Sequence, residues 1–181
     1  DMKNILIVTG GSGGHVIPSI SFFEHLKNKY SIKIVTDLRG SKFIDKKKFN
    51  YHTIDVPNLF TKLYLFPINI VKYFINIFKS LLFIKKNRID IIVSTGGYMA
   101  FPYCLAAFIL KKKIFLFEPN SVLGRSNKLT IPFSHKIMCT DQNLKNFPSK
   151  YNSKKIGIYP ILRRQLYELK KNSVNSKDKI K

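Results

Sequence analysis

The sequence predicts an α/β domain with a mainly parallel sheet. Three features indicate this fold class: short uninterrupted apolar runs, helical segments between them, and a glycine-rich turn directly after the first run. Uninterrupted apolar runs are typical of strands that are buried on both faces, as in a parallel sheet. Strands that alternate with helices along the chain favour the strand–helix–strand units from which such sheets are built.

The apolar runs predict seven strands, at residues 3–9, 32–36, 51–56, 90–94, 113–117, 135–140 and 155–158. A helix is predicted over His15–Tyr30, where apolar residues recur at spacings of three and four: Val16, Ile20, Phe23 and Leu26. Pro18 fits the first turn of this helix, because a missing N–H group costs little there. A further helix is expected from about Pro102 to Leu110, and the polar residues 170–181 are typical of a linker or a frayed tail.

Length and composition indicate one globular domain, because 181 residues with 45% hydrophobic content can form a proper core. No uncharged apolar run reaches the roughly 18 residues of a spanning helix, and the first apolar run is too short for a secretory signal. Cys104 and Cys139 have neither metal-ligand nor CxxC spacing, and they fit a reducing compartment. We therefore expect a soluble intracellular chain with no metal site and no cofactor.

The chain is strongly basic, with 32 Lys and Arg against 10 Asp and Glu and a net charge of +22. Such an excess predicts attraction to polyanions, which include nucleic acid, anionic lipid and phosphorylated substrates. The alternative is that codon bias in an AT-rich genome produced many lysines, which are then simply solvated surface. Charge by itself does not decide between these interpretations.

A glycine-rich loop, Gly10–Gly14, follows the first predicted strand. In an open α/β sheet, ligands bind beyond the carboxyl ends of the strands, and glycines there let the backbone approach a ligand closely. The loop matches neither GxGxxG nor the GxxxxGK[ST] phosphate loop, which weakens dinucleotide-binding and P-loop interpretations. His15 follows the loop directly and is a candidate general base, because its ordinary pKa lies near neutrality.

Two further strand ends carry polar or glycine residues. Thr95–Tyr98 follows the fourth strand, and the fifth ends in Glu118–Asn120, with Gly124 and Asn127 shortly after. Each segment alone is compatible with ordinary turn chemistry. Because parallel strands end at the same edge of a sheet, the three segments together predict a cleft for a polar ligand.

These motifs, taken in order along nearly the whole chain, resemble the N-terminal half of the MurG family of UDP-N-acetylglucosamine transferases. The resemblance rests on the segment Gly10–Pro18, on Gly96–Tyr98 and on Glu118–Asn120 with Gly124 and Asn127. It implies a Rossmann-like parallel sheet that forms the N-terminal half of a GT-B glycosyltransferase. Residues 1–165 would be the acceptor-binding domain, and residues 166–181 a linker towards a C-terminal donor-binding domain.

The resemblance also implies roles for individual residues. His15 matches the base that deprotonates the acceptor's 4-hydroxyl. Residues that match donor or phosphate contacts are Ser12, Gly13, Gly14, Asn120 and Arg163. Residues that match the acceptor side are Gly97, Tyr98, Glu118 and Asn127. The family's HEQN motif is altered here, with Phe117 and Pro119 in place of its His and Gln.

The implied reaction transfers N-acetylglucosamine from UDP-GlcNAc to lipid I and forms lipid II, with inversion and without an obligatory metal. The implied partners are UDP-GlcNAc, lipid I and an anionic membrane surface, with no nucleic acid. The implied location is the cytoplasmic face of the bacterial inner membrane, where the protein would be peripheral. A half-cleft without its donor domain would have little or no activity.

The segment from Leu59 to Arg88 is strongly apolar and is interrupted by basic residues. Lys72, Lys79 and Lys86 are seven residues apart, so on a helix they share one face. Basic residues beside aromatic and aliphatic ones, here Phe74, Phe78 and Leu82, are typical of a helix that lies in a membrane interface. The alternative is a core helix with solvated lysines, which accounts for part of the apolar surface in either case.

Two other functions stay open at this point. The chain is also compatible with the membrane-associated subunit of a split N-acetylglucosaminyltransferase, which would need a separate catalytic partner. A basic nucleic-acid-binding module is the alternative of another class. The sequence lacks a helix-turn-helix, zinc or RNA-recognition pattern, and its aromatic residues cluster in one apolar helix rather than on a stacking surface.

Overall fold

The computed structural model describes residues 2–57 and 66–158, which form a seven-stranded sheet with helices on both faces. All strand pairs are parallel. The strands are β1 (Asn4–Thr9), β2 (Ser31–Thr36), β3 (Tyr51–Thr53), β4 (Ile91–Gly96), β5 (Lys113–Glu118), β6 (Lys136–Cys139) and β7 (Lys155–Gly157). The predicted α/β fold class with a parallel sheet is confirmed.

The helices are α1 (Gly13–Leu26), α2 (Leu38–Ser41), α3 (Phe66–Lys86), α4 (Ala100–Ile109) and α5 (Arg125–Thr130). Helix α1 begins two residues earlier than predicted and ends before Tyr30. Strand β3 is shorter than predicted, because β2 ends at Thr36. The last bond between the two segments runs from the Ile54 N–H group to the Thr36 carbonyl oxygen (2.9 Å), so later residues have no strand beside them.

The strand order is β3-β2-β1-β4-β5-β6-β7, so the chain builds the sheet outward from β1 in one direction and then from β4 in the other. Between β1 and β4 the winding reverses. The helices that follow these two strands, α1 and α4, lie on opposite faces of the sheet, and this arrangement leaves a crevice at its carboxyl edge. The register of this pair shifts between Val8 and Thr9, where the two loops begin.

Alternate residues of the strands point into two separate hydrophobic cores. On one face Ile5 and Ile7 pack with α1, and on the other Leu6 and Val8 pack in the core that α3 and α4 cover. This two-residue alternation gives every central strand two buried faces, which explains their uninterrupted apolar character.

Helix α3 has the length and apolar composition to cross a membrane over Pro67–Lys86. Here it connects β3 to β4 of one sheet and packs beside α4. Residues 59–65 of the predicted apolar segment lie outside the described residues. So do Arg163, the domain boundary at 165 and the linker 166–181.

Candidate active site at the switch point of the sheet

The loops after β1 and β4 meet backbone to backbone at the carboxyl edge of the sheet. Gly97 has a φ of +96°, and a Cβ atom on it would lie 2.6 Å from the carbonyl oxygen of Gly10. Gly96 has the same positive φ. Only glycine allows both this conformation and this close approach, so these glycines fix the floor between the two loops.

Asp37, at the end of β2, holds the glycine-rich loop in place. Its carboxylate accepts hydrogen bonds from the Gly11 N–H group at 3.0 and 3.2 Å, and Oδ1 accepts a third from the Gly40 N–H group at 2.6 Å. The third bond caps α2. Asp37 was not predicted as a site residue, although it follows a predicted strand at the same edge of the sheet.

Helices α1, α4 and α5 begin at this edge, and none has a side-chain cap within the described part of the chain. Their N-cap residues, Ser12, Met99 and Gly124, make no side-chain bond to the first turn. Helix α2 differs, because Asp37 caps it. The first N–H groups of a helix have no partner within the helix and carry partial positive charge. The edge is therefore suited to a negatively charged ligand.

His15, in the first turn of α1, is half-buried and faces the loop after β4. A Cβ atom on Gly96 would lie 3.4 Å from His15 Nε2 and 3.8 Å from Asn127 Nδ2, so both side chains converge on this glycine. The Nδ1 atom of His15 is buried without a hydrogen-bond partner among the described residues. The other ring nitrogen, Nε2, faces Gly96, and an imidazole nitrogen in that position can accept a proton from a ligand.

Glu118, the last residue of β5, holds the loop after β5 in place through hydrogen bonds. Its side chain is fully buried, and its carboxylate accepts bonds from the backbone and side-chain N–H groups of Asn120, the Gly124 N–H group and Asn127 Nδ2, at 2.8–3.2 Å. The resemblance implies that Glu118 lines the acceptor side. In the structure its oxygens accept hydrogen bonds from the loop and hold Asn120 and Asn127 in place.

Asn127 is itself 2% exposed, and its Nδ2 also donates to the Phe117 carbonyl oxygen at 3.1 Å. These bonds fix the amide, and its Oδ1 is left buried without a partner in the described structure. The Ser126 hydroxyl next to it is in the same condition. Buried polar atoms are normally hydrogen-bonded, so unpartnered ones that line a cleft indicate contacts to a ligand or water.

A cleft of about 640 Å³ opens between these loops. Four predicted residues line it: His15, Gly97, Tyr98 and Asn127. Four other predicted residues are not among its lining residues: Ser12, Gly13 and Gly14 at the start of α1, and Asn120 in the loop after β5. The structure adds lining residues that sequence reasoning missed: Tyr73, Phe101, Arg125, Ser126 and Leu129.

Tyr73 enters the cleft from α3, and its phenol lies near Tyr98. Burial raises the pKa of Tyr73 above its usual value, and the proximity of Tyr98 raises it further, so the hydroxyl stays neutral and can donate a hydrogen bond. Within residues 2–57 and 66–158, no group of three His, Cys, Asp or Glu side chains could hold a metal ion.

The predicted membrane-facing residues lie together on the outer face of α3. All six are exposed: Lys72, Phe74, Phe78, Lys79, Leu82 and Lys86. The inner face is polar in part, with Asn69, Asn76 and Ser80 buried. Asn76 Nδ2 donates to the Asp55 carbonyl oxygen at 2.9 Å, and the Ser80 hydroxyl donates to the Asn76 carbonyl oxygen at 2.8 Å.

The sheet order and the cleft at its switch point define a Rossmann-like domain of the GT-B class. Solved structures with this fold include MurG from Acinetobacter baumannii, which aligns with a TM-score of 0.73 and 21% identity. The alignment covers 92% of this chain and 48% of that one. A UDP-GlcNAc 2-epimerase from Neisseria meningitidis bound to UDP-GlcNAc aligns with a TM-score of 0.65 and 16% identity, over 97% of this chain and 52% of that one.

Residues 5–139 match the glycosyltransferase family 28 N-terminal domain, and the chain belongs to this family. It is 44% identical, over 97% of its length, to the UDP-N-acetylglucosamine–N-acetylmuramyl-(pentapeptide) pyrophosphoryl-undecaprenol N-acetylglucosamine transferase of Pelagibacter ubique. It is 34% identical, over 93% of its length, to the protein of the same name from Rickettsia prowazekii. These alignments cover 48% and 43% of the two relatives, so the chain spans about half the length of the curated relatives it matches. The resemblance to the MurG family is confirmed.

Proposed function

We propose that this chain forms the acceptor-side half of a transferase that moves N-acetylglucosamine from UDP-GlcNAc to lipid I and produces lipid II. The relatives named as this transferase support the reaction, and the cleft supports the assignment of this chain to the acceptor side. The observation that carries the proposal is the convergence of His15 and Asn127 on Gly96 between two glycine loops. The N-acetylmuramyl hydroxyl of the acceptor would lie beside Nε2 of His15, the ring nitrogen that faces Gly96.

The chemistry is an inverting displacement. The acceptor hydroxyl oxygen forms a bond to the anomeric carbon of the donor sugar, and the bond from that carbon to the UDP oxygen breaks. UDP leaves with the electron pair, and the hydroxyl proton passes to His15. A general base in this position contributes about 10²–10⁴-fold to the rate.

Anionic groups would bind at the helix starts. The N–H groups at the beginnings of α1 and α4 point to the carboxyl edge of the sheet and have no side-chain cap in the described structure. Backbone donors that are fixed before the reaction stabilise diphosphate charge without having to reorganise. Ser12, Gly13 and Gly14 supply such donors from one side. Asn120 and Arg163 are the further donor-binding residues that the family resemblance implies.

The outer face of α3 would bind an anionic membrane, which places the protein peripherally on the cytoplasmic face of the bacterial inner membrane. Its exposed apolar residues can enter the headgroup region, and Lys72, Lys79 and Lys86 lie beside them. Lipid I is anchored in that membrane, whereas UDP-GlcNAc is a soluble nucleotide sugar. A cleft next to the membrane surface can receive both.

The test is GlcNAc transfer to lipid I by the chain together with the C-terminal half of a relative, supplied in the same polypeptide or in trans. We expect His15→Ala to lower kcat about 10²–10⁴-fold. His25→Ala is the matched control, because His25 lies on the same helix, is exposed and contacts the Ser21 carbonyl oxygen through Nδ1 (2.7 Å). Equal activity of the two variants would remove His15 from the mechanism. Absence of transfer with wild-type sequence would contradict the proposed function.

A further inference from the structure

One wall of the cleft is apolar and continues out of the cleft onto the protein surface. The residues that line this wall are Tyr73, Phe101 and Leu129. The rings of Tyr73 and Phe101 lie 6.2 Å apart, Phe101 and Phe133 lie 6.1 Å apart, and Phe133 and Phe108 lie 5.3 Å apart. These contacts form a continuous row of aromatic side chains that starts in the cleft and ends at the C-terminal part of α4.

The row is not buried as a core would be. Leu129 is 61% exposed although it lines the cleft, and Phe108 and Ile109 at the end of α4 are exposed as well. Exposed apolar side chains that adjoin one another in this way mark a surface that meets an apolar partner. Because Tyr73 belongs to α3 and α3 packs against α4, the row connects these two helices.

The same cleft also has polar lining residues, so it combines apolar and polar chemistry. His15, Ser126 and Asn127 present nitrogen, hydroxyl and amide atoms, and Arg125 adds a positive charge. Two exposed lysines are close in sequence to residues of this surface, Lys111 three residues after Phe108 and Lys128 next to Leu129. This arrangement suits a ligand with an anionic head and an apolar tail, and the tail would leave the cleft towards the α3 and α4 surface.

We propose that Tyr73, Phe101 and Leu129, with Phe133 and Phe108, form a groove that holds the first isoprene units of a prenyl diphosphate. We call this set of residues the prenyl groove. The inference rests on the proposed function, in which the acceptor is a lipid-linked diphosphate, and it assigns the part of the cleft that takes the lipid. With this groove, the affinity for a prenyl diphosphate depends on the length of its prenyl chain. The groove also connects the reaction site to the membrane surface.

The test compares the binding of inorganic pyrophosphate, dimethylallyl diphosphate and farnesyl diphosphate to the chain by calorimetry, below the critical micelle concentration. We expect the fifteen-carbon ligand to bind at least about tenfold more tightly than the five-carbon ligand, which requires only about 55 Å² of apolar surface to leave water. Equal affinities for the two prenyl ligands would overturn the proposal.

Variants locate the effect. Leu129→Ser should abolish the difference between the two prenyl ligands and leave pyrophosphate affinity unchanged, and Leu129→Phe should preserve the difference. These substitutions are suited to the test because Leu129 is mostly exposed, so the fold does not depend on it. Phe78→Ser on α3 is the matched control outside the groove. A chain-length effect that survives Leu129→Ser, or that disappears in Phe78→Ser, would contradict the groove.

This result is separable from the proposed function. Transfer to lipid I with no dependence on prenyl length would leave the transferase proposal standing and remove the groove. Chain-length-dependent binding without GlcNAc transfer would keep the groove and contradict the transferase.

Discussion

The two helical layers cover opposite faces of one sheet but present different surfaces to solvent. On the side of α1 and α2, the described residues include three exposed large apolar side chains: Ile17, Leu38 and Phe43. On the side of α3, α4 and α5 there are nine within the described residues: Ile68, Val71, Phe74, Ile75, Phe78, Leu82, Phe108, Ile109 and Leu129. Scattered exposed apolar residues are normal for any protein, whereas a contiguous set requires an explanation.

Helix α3 shows where this difference originates. A helix on the surface of a globular protein normally turns its apolar stripe inward and its polar residues outward. In α3, Asn76 and Ser80 are buried and hydrogen-bonded, while Phe74 and Phe78 are exposed. The helix therefore has more apolar residues than its core requires, and it places the surplus where a second apolar environment can receive it.

The largest effect should come from the lysines beside this surface. Replacing Lys72, Lys79 and Lys86 together by Gln should weaken binding to phosphatidylglycerol vesicles about 100-fold at low salt, because each lysine near an anionic surface contributes about 1 kcal/mol. Cosedimentation with anionic and neutral vesicles measures this. Wild-type binding should be confined to the anionic vesicles and should fade with added salt.

The matched control removes the same charge elsewhere. Lys46, Lys47 and Lys48 are exposed residues between α2 and β3, away from the α3 surface. Their replacement by Gln should change vesicle binding much less. An equal loss in both triple variants would show that the net charge of +22, rather than the α3 face, attracts the membrane.

A smaller effect should come from a single exposed aromatic residue. Phe74→Ser should weaken vesicle binding about tenfold, because full burial of such a side chain contributes about 1.5–3 kcal/mol. Leu38→Ser is the control in the other layer, since Leu38 and Phe74 are each 67% exposed. Urea unfolding should show both variants within about 0.5 kcal/mol of wild type. If Leu38→Ser reduced binding as much as Phe74→Ser, the two layers would not differ in function.

Some elements of the fold could be predicted from the sequence and others could not. Uninterrupted apolar runs located the central strands β1, β4 and β5, because each is buried on two faces. The edge strands β3 and β7 lie within predicted segments, although their residues are half-buried or exposed. The glycine pairs located the loops after β1 and β4, since positive φ and close backbone approach require glycine. The helices α2 and α5, of four and six residues, were not predicted, because so few residues show no periodicity.

Site residues were predicted where a single segment of the sequence contains the motif. They were missed where segments distant in the sequence come together in the fold. Tyr73 is one aromatic residue among many in α3, and only the packing of α3 beside α4 brings it to the cleft next to Phe101. The buried position of Glu118 depends likewise on Asn127 and Gly124 folding back over it. Such contacts follow from tertiary structure, which a periodicity in the sequence does not contain.

The smallest effect is expected for the reactivity of Cys104 when vesicles are added. Its measurement distinguishes a helix α3 that lies on the membrane from one that crosses it. Helix α3 is long and apolar enough to span, and it could do so only by leaving the sheet. Cys104 on α4 is buried in the core that α3 covers, and burial raises the pKa of its thiol to about 12. The thiolate is the reactive form of cysteine, so this raised pKa slows alkylation of Cys104 as long as the core stays closed.

The measurement is the rate of iodoacetamide labelling of Cys104 in a Cys139→Ser variant, with and without anionic vesicles, and in urea as the unfolded reference. If α3 binds by its outer face alone, the core beneath it stays closed and vesicles should leave the rate unchanged. A rate that rises towards the urea value on addition of vesicles would mean that α3 detaches from the sheet. The exposed apolar residues of α3 would then reflect a helix that moves into the membrane. They would not form a fixed membrane-binding face.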